Sequence, residues 1–464
     1  MFRRIRRGRK HACSSAKARP GLEVKSMPSR FFAGAAALAI TLGAGHAWAE
    51  AQHEHFKAAA KPQKAATDKS VAPSRLMPLG ATVESVLAVG RRLNPALRAA
   101  ALDTSAAAAR AAGADALDDP TISDSYQFYR NPNVFSGHAI MMTQAFPLWG
   151  KQSLRREAAL ADLDAMRGRE QAARDALDER IKIAFAQYYA ASRALAVNRE
   201  VIAVTRGMRA AAEAQFGAGR ANQPAVIKAL GEETSVEIEA TRLHGDRAAA
   251  REMLNALLAR PAGAPLVEPL RLRSVPATDL AIASLVERAR GSSPALAASG
   301  AEVNAAQART ALAEKAWYPD LTVGAGPLIQ TNNRPPGVAA TVGLNIPLPW
   351  GKEASEQQAA TAQLGAARQH YEAALLDIQS ALGETLARLK AARQADVLLA
   401  RKALPEARAA LKSIIADYAQ GRSELGAALD TQHQVHDLEL KRLQLELDEQ
   451  TALAAIERLI GGEL

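Results

Sequence analysis

Along most of this chain, apolar residues recur at three- and four-residue steps, the spacing of one face of an α-helix. No proline falls between Pro147 and Pro224, and Leu160, Leu163, Leu177, Ile181, Phe185 and Tyr188 lie on one narrow stripe. A single helix is predicted over 151–216, roughly 100 Å long at 1.5 Å per residue and far longer than globular helices. A glycine-containing turn over 217–223 reverses the chain into a returning helix over about 224–259. The same succession recurs as 352–418, 419–423 and 424–460, with a kink expected at Pro405. Ahead of each hairpin a short helical stretch (about 83–92 and 280–290) meets Asn94 or Ser293. Both are good N-cap residues, each followed by proline at the first helical position and an alanine-rich helix to about 117 or 316.

Between these helices the hydrophobic period changes from 3.6 to 2, predicting strands over about 120–130, 137–146, 320–330 and 337–346. The last is clearest, with Val338, Ala340, Val342, Leu344 and Ile346 opposite Ala339, Thr341, Gly343 and Asn345. Its partner sets Leu321, Val323, Ala325 and Ile329 against Thr322, Gly324, Gly326 and Gln330. In the first half Ile122, Tyr126 and Phe128 oppose Thr121, Ser123, Ser125 and Gln127, but Asp124 interrupts the apolar face. Residues 137–146 alternate poorly, and a strand is expected there only because the first half repeats the second. Each stretch has the length of a tilted membrane-crossing strand, with apolar and polar residues alternating. Four strands cannot close a barrel, and open edges are not tolerated in lipid, so spanning strands would require subunits to associate. The alternative is a soluble hairpin.

The chain is an internal duplication. Asn94-Pro95-Ala96-Leu97 returns as Ser293-Pro294-Ala295-Leu296, and Asp119-Pro120 as Tyr318-Pro319. Pro147-Leu148-Trp149-Gly150-Lys151 returns as Pro347-Leu348-Pro349-Trp350-Gly351-Lys352. Phe216-Gly217-Ala218-Gly219-Arg220 returns as Tyr418-Ala419-Gln420-Gly421-Arg422. Four landmarks in one order, with a slowly drifting offset, define two repeats of about two hundred residues, 81–260 and 280–464. Proline-rich residues 261–279 read as an irregular linker. Residues 50–80, rich in Ala, Lys, Gln and Pro, read as a disordered extension.

Charge changes the picture less than its total suggests. The net charge is +10, yet the excess sits in residues 1–49, where Arg3, Arg4, Arg6, Arg7, Arg9, Lys10, Lys17, Arg19, Lys25 and Arg30 face one acid, Glu23. The remainder is nearly neutral and carries no footprint for nucleic acid. Arg30, the apolar run 31–45 and Ala47-Trp48-Ala49 read as an export signal cleaved after Ala49, with Met27 an alternative translation start. The one cysteine, Cys13, lies upstream of that cleavage site, so no disulfide, thiolate metal site or lipid-bearing cysteine is expected in the mature chain.

The Asn94-Pro95-x-Leu97 element, the Trp-Gly-Lys exits and the aromatic-x-x-Gly turns at Phe216/Gly219 and Tyr418/Gly421 resemble the outer-membrane efflux protein (TolC) family, from about residue 83 to 461. The resemblance implies a mainly α fold with a small β membrane part. Long antiparallel helical hairpins would form an α-barrel tunnel, and four transmembrane β-strands per protomer would form a twelve-stranded barrel in a homotrimer. It implies a passive exit duct in the outer membrane of a Gram-negative cell, in contact with lipid. Its partners would be a periplasmic adaptor and an inner-membrane pump of the resistance-nodulation-division type, and its cargo drugs or heavy-metal cations. Protein secretion of the type I kind is an alternative, as is a soluble coiled-coil scaffold or adaptor.

The resemblance also implies site residues. Phe216, Gly219, Arg220, Tyr418, Gly421 and Arg422 would form adaptor-docking tips. Tyr418, Arg422 and Asp430 would form a periplasmic gate, although Ala427 stands where a companion acid is expected and Arg422 is displaced from the latch position. Pro147, Trp149, Gly150, Pro347, Pro349, Trp350 and Gly351 would mark the barrel-to-tunnel transition, the tryptophans at an interfacial belt. No phosphate loop, nucleophile elbow or Cys/His zinc spacing points to an enzyme, and no cofactor is expected. His433 and His436, one helical turn beyond Asp430, are a weak metal-binding pair. His138, Met141 and Met142 hint more weakly at copper-like cargo. His53 and His55 are read as bystanders.

Overall fold

The computed structural model describes residues 78–127, 137–274, 280–330 and 335–464. The expected export signal, the extension as far as residue 77 and both strand-connecting loops lie largely or wholly outside them. Each repeat has the same order of elements. In the first these are α1 (Val83–Leu93), α2 (Pro95–Gly113), β1 (Thr121–Gln127), β2 (Gly137–Phe146), α3 (Lys151–Gly217) and α4 (Gln223–Leu257). In the second they are α5 (Ile282–Ser292), α6 (Pro294–Lys315), β3 (Asp320–Gln330), β4 (Gly337–Asn345), α7 (Lys352–Leu398), α8 (Leu404–Ala419) and α9 (Leu425–Ile460). The helix predicted over 151–216 is continuous. No described helix is long and apolar enough to cross a membrane, an observation that leaves strands out of account.

The expected kink at Pro405 has a specific form. A π turn, Leu399–Ala403, separates α7 from α8, and Pro405 stands in the first turn of α8 where its missing N–H costs nothing. The turn also absorbs one inserted residue. Before it, Leu177 of α3 matches Ile378 of α7; beyond it, Phe216 matches Tyr418, with one residue more between counterparts. The drift between repeats is therefore partly a π bulge in a helix that otherwise keeps its packing register.

The duplication is visible in the core. One cluster unites Val86, Leu177, Ile181, Phe185, Tyr188, Leu254 and Leu258. A second unites their counterparts Leu285, Ile378, Leu382, Leu386, Leu389, Ile456 and Ile460. A third joins the repeats at the far end of the hairpins, where Met208, Ala212 and Ala229 meet Tyr418, Leu425 and Leu429. Two capping details differ between the halves. Asn94 accepts a hydrogen bond from the Ala96 amide at 2.9 Å, whereas Ser293 makes no side-chain cap. After α9 the αL position is Gly461 (φ +71°), but after α4 it is Ala259 (φ +52°), where a Cβ is strained.

The strands form one antiparallel meander in the order β1-β2-β3-β4. Its register places Ile122 opposite Met142, Met142 opposite Ala325, and Ala325 opposite Ala340. One face therefore carries Ile122, Ile140, Val323, Val342 and Leu344, and the other Thr143, Gly324, Thr341 and Gly343. The weakly patterned stretch 137–146 is indeed a strand, held by pairing on both sides. Gly326 is required where β2 comes close, because a Cβ there would lie 1.7 Å from the Ile140 carbonyl oxygen. Among the described residues, β1 and β4 each pair along one edge only.

One expectation about a loose segment needs correction. Residues 78–80, placed in the disordered extension, form an ordered turn in which the Ala81 amide donates to Pro78 O. The linker over 261–274 has no regular secondary structure and forms a fastened strap: Val267 N donates to Leu79 O, and Leu270 N donates to Ala81 O. Paired backbone on both sides explains why these polar segments stay in place. Linker residues 275–279 lie outside the described residues.

Candidate functional site

At the corner between sheet and helices the two Trp-Gly-Lys elements have the same backbone device and different surroundings. Gly150 (φ +78°) and Gly351 (φ +97°) occupy the left-handed region that starts each long helix. Trp149 shares that conformation (φ +63°), an unusual one for a bulky residue. It is held there by a bond from Nε1 to Pro319 O at 2.8 Å and by the Tyr318 ring, 5.4 Å away. Lys151 is buried, its Nζ donating to Tyr318 O at 2.9 Å and to Asp320 Oδ1 and Oδ2 at 2.8 Å. Asp320 also accepts from the Leu148 amide at 3.1 Å. The first repeat's exit, Pro147 included, is thus fastened to the start of β3. Among the described residues the second exit has no such fastening: Trp350 is 86% exposed, Pro349 is exposed and Pro347 half-buried, and the Lys352 side chain is 77% exposed.

At the opposite end the two tip turns are near-identical helix caps. Gly219 (φ +70°) donates to Phe216 O while the Arg220 amide donates to Gln215 O. Gly421 (φ +71°) donates to Tyr418 O while the Arg422 amide donates to Asp417 O. Both are Schellman motifs, in which glycine satisfies the last carbonyls without strain. The tips are tied together by Gln215 Nε2, which donates to Tyr418 O at 2.5 Å. Phe216 and Arg220 are exposed, whereas Tyr418 is buried in the tip cluster. Among the described residues its hydroxyl has no hydrogen-bond partner, and burial raises its pKa above the ordinary tyrosine value. Arg422, in the turn, is paired with Asp417 of α8 at 2.8 Å.

Asp430 lies on the exposed face of α9, opposite buried Ala428 and Leu429. The histidines beyond it do not act as a pair. His433 Nε2 lies 2.5 Å from Glu232 Oε1 on α4. His436 is half-buried, its Nε2 unpartnered, and burial lowers its pKa despite the carboxylates of Asp437, Glu239 and Glu439. No group of three or more His, Cys, Asp or Glu among the described residues is arranged to hold a metal. His138 and Met142 share the apolar sheet face and Met141 lies on the other, so the copper-like trio is divided. His138 Nδ1 instead stands 3.2 Å from Asp124, the acid that interrupted that face.

Sequence reasoning missed the buried ionic junction between the repeats. Lys182 Nζ donates to Glu457 Oε2 at 2.8 Å, and Arg273 of the strap donates to the same carboxylate at 2.6 Å. Burial pushes the Glu457 carboxyl up, but these two cations outweigh it and hold its pKa below the ordinary value. The available signal was charge on an otherwise apolar stripe, Lys182 beside Ile181 and Glu457 beside Ile456.

Long paired hairpins, a sheet apolar on one face and small-polar on the other, and two open strand edges define a channel-forming subunit. Residues 285–462 match the family described as outer membrane efflux protein. The cobalt-zinc-cadmium resistance protein CzcC of Cupriavidus metallidurans is 27% identical over 326 residues, 68% of this chain and 74% of that protein. Among solved structures, CusC superposes with a TM-score of 0.70 at 17% identity, covering 85% of this chain and 96% of that one. The outer membrane protein VceC of Vibrio cholerae gives 0.71 at 17% identity, covering 82% and 96%. The chain is thus similar to outer membrane efflux proteins, and its fold is that of the outer-membrane channels it superposes on.

Proposed function

We propose that three copies of this chain form one continuous channel, the passive exit duct of a tripartite efflux system. The carrying observation is the meander with two open edges and one apolar face. Joining β4 of one copy to β1 of the next satisfies both edges and turns Ile122, Val323, Val342 and Leu344 toward lipid. The small residues of the other face then line the pore. The cargo is divalent metal cations, a reading supported by the resemblance to a cobalt-zinc-cadmium resistance protein. The tip turns at Phe216–Arg220 and Tyr418–Arg422 receive a periplasmic adaptor, and an inner-membrane pump supplies the energy. Asp430, exposed on α9, forms a carboxylate ring at the periplasmic aperture. Such a ring favours cations. Single-channel recording in planar bilayers tests it: Asp430→Ala is expected to lower cation selectivity and block by multivalent cations. Selectivity equal to wild type would place the aperture elsewhere.

A further inference from the structure

A cavity of about 350 Å³ lies between α3, the second half of α4 and the strap. Tyr188, Pro265 and Leu266 give it apolar walls, and His244, Arg247 and Arg251 give it a basic face. The three basic residues stand three and four positions apart, so they share one side of α4. Among the described residues no acid lines the cavity. Arg251 pairs with Glu252 at 2.9 Å, whereas Arg247 makes no ion pair among the described residues. Asp246, the acid beside Arg247 in sequence, is taken by Arg242 at 2.6 Å. The apolar walls are pinned in place. Tyr188 is buried and its hydroxyl donates to Leu266 O at 3.5 Å, while Arg260 Nη2 donates to Pro265 O at 3.0 Å. The second repeat lacks this chemistry: the counterparts of His244, Arg247 and Arg251 are Glu446, Glu449 and Leu453. The basic face therefore belongs to the first repeat alone and is not dictated by packing that both repeats share.

We propose that this cavity is a binding site for a carboxylate carried on a short apolar stem, such as the C-terminal end of a peptide. A guanidinium without a carboxylate of its own, set in a cavity that no acid lines, is left to pair with an anion from outside. The planar fork of Arg247 matches the two oxygens of a carboxylate, and Arg251 and His244 stand on either side of it. The cavity has the size of a small organic ligand's site, and Tyr188, Pro265 and Leu266 offer an apolar stem a surface away from water. An inorganic anion would leave those walls wet. The site is built from one chain's own residues, apart from the strand edges, the tip turns and Asp430. It goes beyond the exit-duct reading and does not depend on it.

Equilibrium dialysis of the full chain in detergent against radiolabelled N-acetylleucine tests the site. Saturable binding with a Kd of about 1 mM or below is expected. Arg247→Ala is expected to weaken it by about tenfold or more, with an unchanged circular dichroism spectrum because no ion pair of the described fold is lost. Arg247→Lys, which keeps the charge and loses the fork, is expected to fall between the two. Arg199→Ala, which removes an exposed cation elsewhere on α3, is expected to bind as the unaltered chain does. Uncharged N-acetylleucinamide is expected not to compete, and inorganic phosphate to compete only at about tenfold higher concentration or more. The absence of saturable binding, or binding by Arg247→Ala equal to that of the unaltered chain, would overturn the site. Equal losses in Arg247→Ala and Arg199→Ala would do the same, since they would reflect overall charge. Competition by phosphate or by the amide as strong as that of N-acetylleucine itself would overturn the assignment of the ligand.

Discussion

Trp149-Gly150-Lys151 and Trp350-Gly351-Lys352 carry the same three residues and start their helices with the same left-handed glycine. In the first, tryptophan bonds to Pro319 O and lysine is buried against Asp320. In the second, tryptophan and lysine point into open space, Lys352 reaching only Glu356 of its own helix at 3.9 Å. The motif sets the backbone, and its neighbours set its energetics.

The largest expected effect is at the junction that has no ionic equivalent in the second repeat. Lys182, Glu457 and Arg273 meet in the interior, whereas the counterparts of the first two are Gly383 and Asn255. Lys182→Ala leaves a buried carboxylate short of a cation and is expected to cost about 3–5 kcal/mol in denaturant unfolding. Gly383→Ala, by contrast, is expected to stay near neutral. The same site sets an acid limit. Because the folded pKa of Glu457 lies below its unfolded value of about 4.5, its contribution is complete above that pH and is lost as pH falls through the folded value. Unfolding followed by circular dichroism should therefore show a stability loss below about pH 4.5 that Glu457→Gln removes. An unchanged acid profile would mean that other carboxylates govern it.

A smaller effect is expected at the corners. Lys151→Ala removes a bond network to Asp320 and Tyr318 O and is expected to cost about 1–3 kcal/mol, while Lys352→Ala in a dissociated subunit should cost under about 0.5 kcal/mol. Equal costs would show that the corners are equivalent in the single chain. The smallest effect concerns the helix ends. Ala259→Gly should stabilise by about 1 kcal/mol, since alanine sits where its counterpart is Gly461. The reverse change, Gly461→Ala, should destabilise by more than that, because a Cβ there would lie 2.2 Å from Ser292 O.

Much of this arrangement was legible in the sequence, and the boundary of legibility follows the range of the interactions. Helix α3, both tip glycines and the strands β3 and β4 rest on periodicity and local turn chemistry. Strand β2 had little pattern of its own because His138 and Gln144 interrupt its apolar face, and His138 is accommodated by Asp124 on the next strand. The strap over 261–274 looked irregular because its order comes from pairing with residues 79–81 far away in sequence. The ionic junction escaped notice for the same reason: neither Lys182 nor Glu457 has a local motif, and only packing brings them together. The histidines looked paired by spacing alone, but α4 takes His433 and leaves His436 half-buried with its Nε2 unpartnered.

Under the proposed function, one chain with two open strand edges is an incomplete wall that copies of itself finish. Native mass spectrometry of the full-length protein extracted from outer membranes in mild detergent tests it most directly. The predicted result is a single assembly of three chains, with no stable population of one. A folded monomer as the dominant species would contradict the proposed channel.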